Sequence, residues 1–217
     1  ALLERAADPS AAELLPPLPA FRGDEALGED AREGDLCLQL CGSDPVALGF
    51  AAAELAELVP GRLVFRQRGF RQPGATGDGV VRSPVGFHDG IVNPRTDREL
   101  REHVFLADGP LAGATIWVLR RFRVDLDGFR ALGREGREAA VGRREDDGAP
   151  LTGSARSDDA DLGAKTADGE YVIPVDAHVR RAHPSFTGSA LMLRRSYGYD
   201  DGGDDRGLIF VSFQRDL

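Results

Sequence analysis

Twice in 217 residues a strand-like run leads through a helix into another strand, and that repeated order limits the fold more than any other feature. In the first half "DLCLQLC" (35–41) alternates Leu36, Leu38 and Leu40 with Cys37, Gln39 and Cys41, as a strand does. "SDPVALGFAAAELAEL" then reads as a helix with Asp44 as N-cap and Pro45 at its first position. Ala47, Phe50, Ala51, Leu55 and Leu58 recur along one face of it, and "GRLVFRQ" (61–67) returns as a strand. In the second half "ATIWVLRRFRV" (114–124) is the longest strand candidate, with Ile116, Val118, Phe122 and Val124 on one parity and Arg120 interrupting them. "DLDGFRALGREGREAAVGR" follows as a helix weakened by Gly128, Gly133 and Gly136, each costing roughly 1 kcal/mol relative to alanine. "SALMLRRSY" (189–197) and "GLIFVSF" (207–213) close the chain as strands. Strand, helix, strand with short connections is half of a ferredoxin-like unit. Two such halves predict an α+β fold with antiparallel sheets, although no internal sequence repeat accompanies them. Residues 1–33, rich in Pro, Ala and acids, read as an arm or linker before a domain at 34–217. Residues 71–85 form a Gly/Pro/Arg-rich loop, and 143–170 lack periodicity and are expected as a long surface loop.

Composition narrows the function classes. A net charge of −9 argues against a general nucleic-acid binder, which needs clustered cations. No apolar run approaches the roughly 20 residues of a membrane-spanning helix, and "ALLERAADPS" lacks the apolar stretch of a signal peptide. Lys165 is the only lysine among 27 basic residues, a bias that fits a GC-rich genome as readily as bidentate carboxylate recognition. Cys37 and Cys41, four apart on a strand, lie about 13 Å apart and are too distant for a disulfide.

The familiar signatures are missing. There is no G-x-S-x-G, no phosphate-binding loop and no dinucleotide fingerprint. His88, His103, His178 and His183 show no zinc-site spacing, and His103 reads as an ordinary strand histidine. Three segments remain. "GFHDGIVNPR" (86–95) places Asp89 on a glycine-flanked turn, where backbone can approach a planar ligand closely. "PVDAHVRRAHP" (174–184) puts His178 on a turn or first helical turn, placed either as an axial ligand or as a cap. In "LMLRRSYGY" strand alternation sends Arg194 and Arg195 to opposite faces. An arginine facing an apolar interior needs an anion there, because an unpaired buried charge is expensive. Taken singly, Asp89 reads equally as a turn cap, Arg194 as a surface ion pair and His178 as structural.

Together, in this order, the segments resemble the dye-decolorising peroxidase family, heme enzymes of the dimeric α+β-barrel, ferredoxin-like type. Gly86-Phe87-His88-Asp89-Gly90 matches its G-x-x-D-G hallmark and continues into Asn93-Pro94. "DAHVRRAHP" resembles its proximal segment, "LMLRRSYGY" its distal strand, and "GLIFVSFQRD" its closing strand. "GDLCLQLCGSDP", "VFRQRGF" and "GR…GAPLTG" add to the likeness, which spans about residues 34–217. The resemblance implies extra strands before residue 34 and a further segment after residue 217, and its subgroup includes deferrochelatase-like proteins and many exported by the twin-arginine route.

It further implies heme b (iron protoporphyrin IX), with His178 as the iron ligand and Asp89 and Arg194 as catalytic residues. Gly90, Ile91, Arg95, Arg180 and Phe210 would line the cofactor, with Arg95 and either Arg180 or Arg181 meeting its propionates. A ligating histidine is ordinarily backed by a carboxylate; Asp216 and Asp176 are the candidates. Asp89 would move a proton between the oxygens of hydrogen peroxide, while Arg194 favours its ionised form and stabilises charge on the departing oxygen. An acidic pH optimum is expected, with dyes, phenols or similar small aromatic molecules as reductants. Trp117, Tyr197 and Tyr199 are candidate electron relays, with ordinary packing the favoured reading. His88 is expected to be a bystander. A homo-oligomer and export are implied, with no nucleic acid or membrane partner. Two other readings stay open: a heme-handling protein with incidental peroxidase activity, and a heme-free ferredoxin-like interaction domain.

Overall fold

The structure is a computed structural model, and it describes residues 18–24, 34, 36–72, 78–188 and 190–216. The chain divides into two compact units, Ala1–Gln67 and Arg68–Leu217. Most of the expected N-terminal arm lies outside the described residues.

In the first unit the helix forms as the sequence predicts. Helix α1 (Pro45–Leu58) starts where Asp44 Oδ1 accepts from the Val46 and Ala47 amides at 2.8 and 3.2 Å, with Pro45 in the first turn. No residue of α1 is buried, and Phe50 and Leu58 are 67% and 75% exposed, so its apolar face is uncovered. The strands expected at 35–41 and 61–67 are not formed among the described residues. Alternation prepares a segment for a sheet, but a strand exists only once a second segment completes its hydrogen bonds. Cys37 and Cys41 are exposed and not joined in a disulfide.

The second unit is built on a four-stranded antiparallel sheet. Strand β3 (Ile116–Arg123) pairs with β6 (Arg206–Gln214) along its full length, from Ile116 opposite Gln214 to Arg123 opposite Gly207. Two short strands, β4 (Leu193–Arg194) and β5 (Tyr197–Asp200), share the other edge of β6. The single strand expected at 189–197 is therefore split, with Arg195 and Ser196 between the halves. Because side chains alternate, this register sorts the sheet into two faces. Trp117, Tyr197, Tyr199, Ile209, Val211 and Phe213 pack together on one face as the core. Val118, Ser212, Phe210 and Arg194 take the other by their pairing.

Around the sheet lie short elements. Strands β1 (Val81–Arg82) and β2 (His88–Asp89) form a hairpin inside a stretch with no strand signal. Helix α2 (Asp97–His103) opens with a capping box between Thr96 and Glu99. The glycine-weakened helix is broken into α3 (Leu126–Ala131) and α4 (Gly133–Val141), and Gly142 ends it at φ 89°. Helices α5 (His178–Arg181) and α6 (Pro184–Thr187) precede β4. Residues 143–170 hold no helix, as expected, but they are not wholly surface. Arg143 and Ala149 are buried, because Arg143 donates to the carbonyls of Gly148 and Arg156 and folds the segment onto itself.

Candidate functional site

Asp89 sits on β2 opposite Val81, and the turn after it is held by one arginine. Arg95 donates from Nη2 to Gly90 O (3.0 Å) and Ile91 O (3.4 Å), and from Nη1 to Asp78 O (2.7 Å). Gly90 adopts φ 87°, in the left-handed region that glycine enters without steric cost. A Cβ there would stand 3.4 Å from Gly79 O, so the turn passes close to neighbouring backbone. Arg95 is thus committed to carbonyls of the turn.

Arg194 approaches Asp89 from β4, about a hundred residues later in the chain. Its Nε lies 3.9 Å from Asp89 Oδ1, with both side chains partly exposed, and its Nη2 donates to Val92 O at 3.1 Å. Ser212 pairs with Arg194, and Phe210 lies two residues from Ser212, so Arg194 and Phe210 share a sheet face. Phe210 meets Phe122 edge to face at 6.1 Å.

His178 begins α5. The residue is exposed to solvent, yet desolvation by surrounding protein holds its imidazole below the ordinary histidine value. Two charges are felt there besides burial: Arg194 pushes the histidine further down, and Asp89 opposes it. Asp89, Arg194 and His178, drawn from three separate segments, therefore share one electrostatic neighbourhood. The expected carboxylate behind His178 is not found. No hydrogen bond joins the imidazole to Asp176 or Asp216, and the Asp216 carboxylate accepts from Arg215 Nε instead.

Arg180 has a structural place. It is 7% exposed and donates to the carbonyls of Leu162, Ile173 and Pro174, with its guanidinium 4.5 Å from the Tyr171 ring centroid. These contacts tie α5 to the 162–174 segment. His88 points away from Asp89, as alternation requires. Its ring packs against Gly148, where a Cβ would come within 2.4 Å of His88 Nδ1, and that nitrogen is buried without a hydrogen-bond partner. Burial first, then Arg82 and Arg156, push its pKa down. Tyr197, Tyr199 and Trp117 belong to the core cluster, Trp117 stacking on Phe213 at 6.2 Å.

Sequence reasoning gave no role to two residues of this neighbourhood. Asn93, quoted only as part of the motif's continuation, hydrogen-bonds the Arg194 backbone twice. Arg71 donates to Ser196 O and Gly79 O; burial and then Arg195 lower its pKa, and the Asp89 carboxylate opposes them. No spacing rule marks an arginine in a 71–85 loop.

Residues 81–217 match the family profile described as Dyp-type peroxidase, C-terminal. The chain belongs to the dye-decolorising peroxidase family. It is 37% identical over 200 residues to a dye-decolorizing peroxidase of Thermobifida fusca, covering 84% of this chain and 46% of that protein. A deferrochelatase of Yersinia pseudotuberculosis is 31% identical over 205 residues, covering 85% of this chain and 46% of the relative. Among solved structures, the DyP-type peroxidase of Cellulomonas bogoriensis aligns with a TM-score of 0.84 at 36% identity, over 98% of this chain and 61% of that one. The chain spans about half the length of the curated relatives it matches. The fold is accordingly the α+β, ferredoxin-like type with antiparallel sheets expected of a dye-decolorising peroxidase.

The residues present also fit a heme. Among the described residues no three His, Cys, Asp or Glu side chains gather as a metal cage. The His178 imidazole, whose pKa desolvation lowers, is of a chemistry that would suit a ligand to heme iron.

Proposed function

We propose that the chain is a heme-dependent peroxidase that uses hydrogen peroxide to oxidise dyes, phenols or similar aromatic donors. The observation that carries the reading is the approach of Arg194 to Asp89, 3.9 Å apart, with His178 of a third segment within electrostatic reach of both. Heme b, when bound, supplies a redox-active iron with one protein ligand and one open position. His178 is the residue that holds it, through a neutral ring nitrogen. Gly90 and Ile91 on the turn that carries Asp89, and Phe210 on the Arg194 face, would line the cofactor, a reading supported by their sharing these elements with Asp89 and Arg194.

Asp89 acts as the proton carrier. Its carboxylate takes a proton from one oxygen of peroxide and returns it to the other as the O–O bond breaks, so the departing oxygen leaves as water. Arg194 offsets the negative charge developing on that oxygen and holds the carboxylate side of the site together. The donors supply the electrons and protons that complete the reduction to a second water.

Peroxide-dependent bleaching of an anthraquinone dye tests the reading. Asp89→Ala and Arg194→Ala should each lower kcat/KM for peroxide by about a hundredfold or more, the usual contribution of a positioned acid–base group. Unchanged peroxide reactivity in both variants refutes the roles given to them. The deferrochelatase relatives favour a second reading, heme handling with incidental peroxidase activity. It predicts release of iron from hemin without dye turnover in the same assay. The family likeness also supports a homo-oligomer and twin-arginine export, which light scattering and fractionation of cells expressing the full-length gene would test.

A further inference from the structure

We infer that Asn93 is a positioning residue, whose side-chain amide stands in for a missing strand beside Arg194 and so sets the approach of Arg194 to Asp89. The inference rests on the peroxidase reading above. On β4 the backbone alternates between its two edges. Arg195 N–H donates to Val211 O at 2.9 Å, toward β6. The N–H and C=O of Arg194 therefore face the opposite edge, where among the described residues no strand pairs with β4. Unpaired backbone groups at such an edge are left to water or to another partner.

Asn93 provides that partner with both halves of one amide. Its Oδ1 accepts from Arg194 N at 3.1 Å, and its Nδ2 donates to Arg194 O at 2.9 Å. A side-chain amide has the same donor and acceptor as a peptide unit, so asparagine satisfies a strand residue without a strand. Val92, its neighbour, accepts from Arg194 Nη2 at 3.1 Å. The turn that carries Asp89 thus grips Arg194 at its backbone and at its guanidinium, and the Nε–Oδ1 separation of 3.9 Å is the remaining gap in that ring of contacts. Arg71 braces the same junction from outside by donating to Ser196 O and Gly79 O.

A residue that acts through Arg194 has no effect once the Arg194 side chain is gone. Asn93→Ala should lower kcat/KM for peroxide about tenfold or more, while in the Arg194→Ala background it should lower it no further. Losses that multiply, or no loss in the single variant, overturn the proposal. Amide hydrogen exchange of the chain without heme gives a second readout. Asn93→Ala should speed exchange at Arg194 by about tenfold and leave the Arg195 amide unchanged. Equal effects at both amides, or none at Arg194, also overturn it. If the unmodified chain turns over no dye, the peroxidase reading fails, while the exchange measurement still decides the clamp.

Discussion

Gly142→Ala is expected to unfold the region that carries His178, by an amount the structure lets us work out. Gly142 ends α4 at φ 89°, and its amide donates to Glu138 O at 2.7 Å. Alanine in this left-handed conformation costs roughly 1–2 kcal/mol. Its Cβ would also lie 2.6 Å from Val179 Cγ1 and 3.2 Å from Ile173 Cγ2. Ile173 is fully buried and Val179 follows His178 in α5, so neither can withdraw without moving the site. Overpacking of this kind adds about 1–3 kcal/mol, for a total of about 2–5 kcal/mol. Urea unfolding followed by the fluorescence of Trp117, the single tryptophan, should show a lower midpoint with an unchanged slope. Adding Val179→Ala should recover part of the loss through a coupling of about 1 kcal/mol, because it removes the methyl in the way. A loss under about 0.5 kcal/mol, the range of an unremarkable surface change, would refute the argument. Strict additivity with Val179→Ala would place the strain elsewhere.

Other outcomes follow from the desolvated histidines and from buried Arg180. Both His88 and His178 titrate below the ordinary value of about 6.5. As pH falls below 6.5 the unfolded chain takes up protons that the folded chain does not, so stability declines, and it is unaffected by these groups above that value. Urea midpoints at pH 7.5, 6.5 and 5.5 should show this, and His88→Gln should flatten the slope; a full decline in that variant contradicts the assignment. Arg180→Met should cost about 3 kcal/mol or more, since it removes charged donors from the carbonyls of Leu162, Ile173 and Pro174. Arg180→Lys should recover little, because one ammonium cannot span them all; a lysine variant as stable as the parent would show that the fork is not needed.

The sequence showed its elements where local chemistry suffices to make them. Asp44 and Pro45 start α1 because a cap and a fixed φ act within a few residues. Strand β6 forms as expected because its alternating pattern finds partners on both sides. The segments 35–41 and 61–67 were expected as strands on pattern alone, and among the described residues no strand forms there, since pattern prepares a strand but only a neighbouring strand completes it. Helix α2 was missed although Thr96-x-x-Glu99 is a legible capping box; the helix is seven residues long and its apolar spacing too brief to draw attention. In the site, Asp89, Arg194 and His178 were legible as a set only through the family's ordered motifs. Asn93 and Arg71 were not, because each acts by bonding to backbone that folding alone brings near. The structural place of Arg180 was equally hidden, since nothing in "HVRR" says which arginine turns inward.

The account stands or falls on His178 as the heme ligand, and a hemin titration followed by absorption tests it most directly. The chain should develop a shifted, saturable Soret band at about one hemin per chain, consistent with a single axial imidazole. Asp89→Ala should keep that band, and His178→Ala should lose it. A band in His178→Ala indistinguishable from that of the parent chain would contradict the central claim.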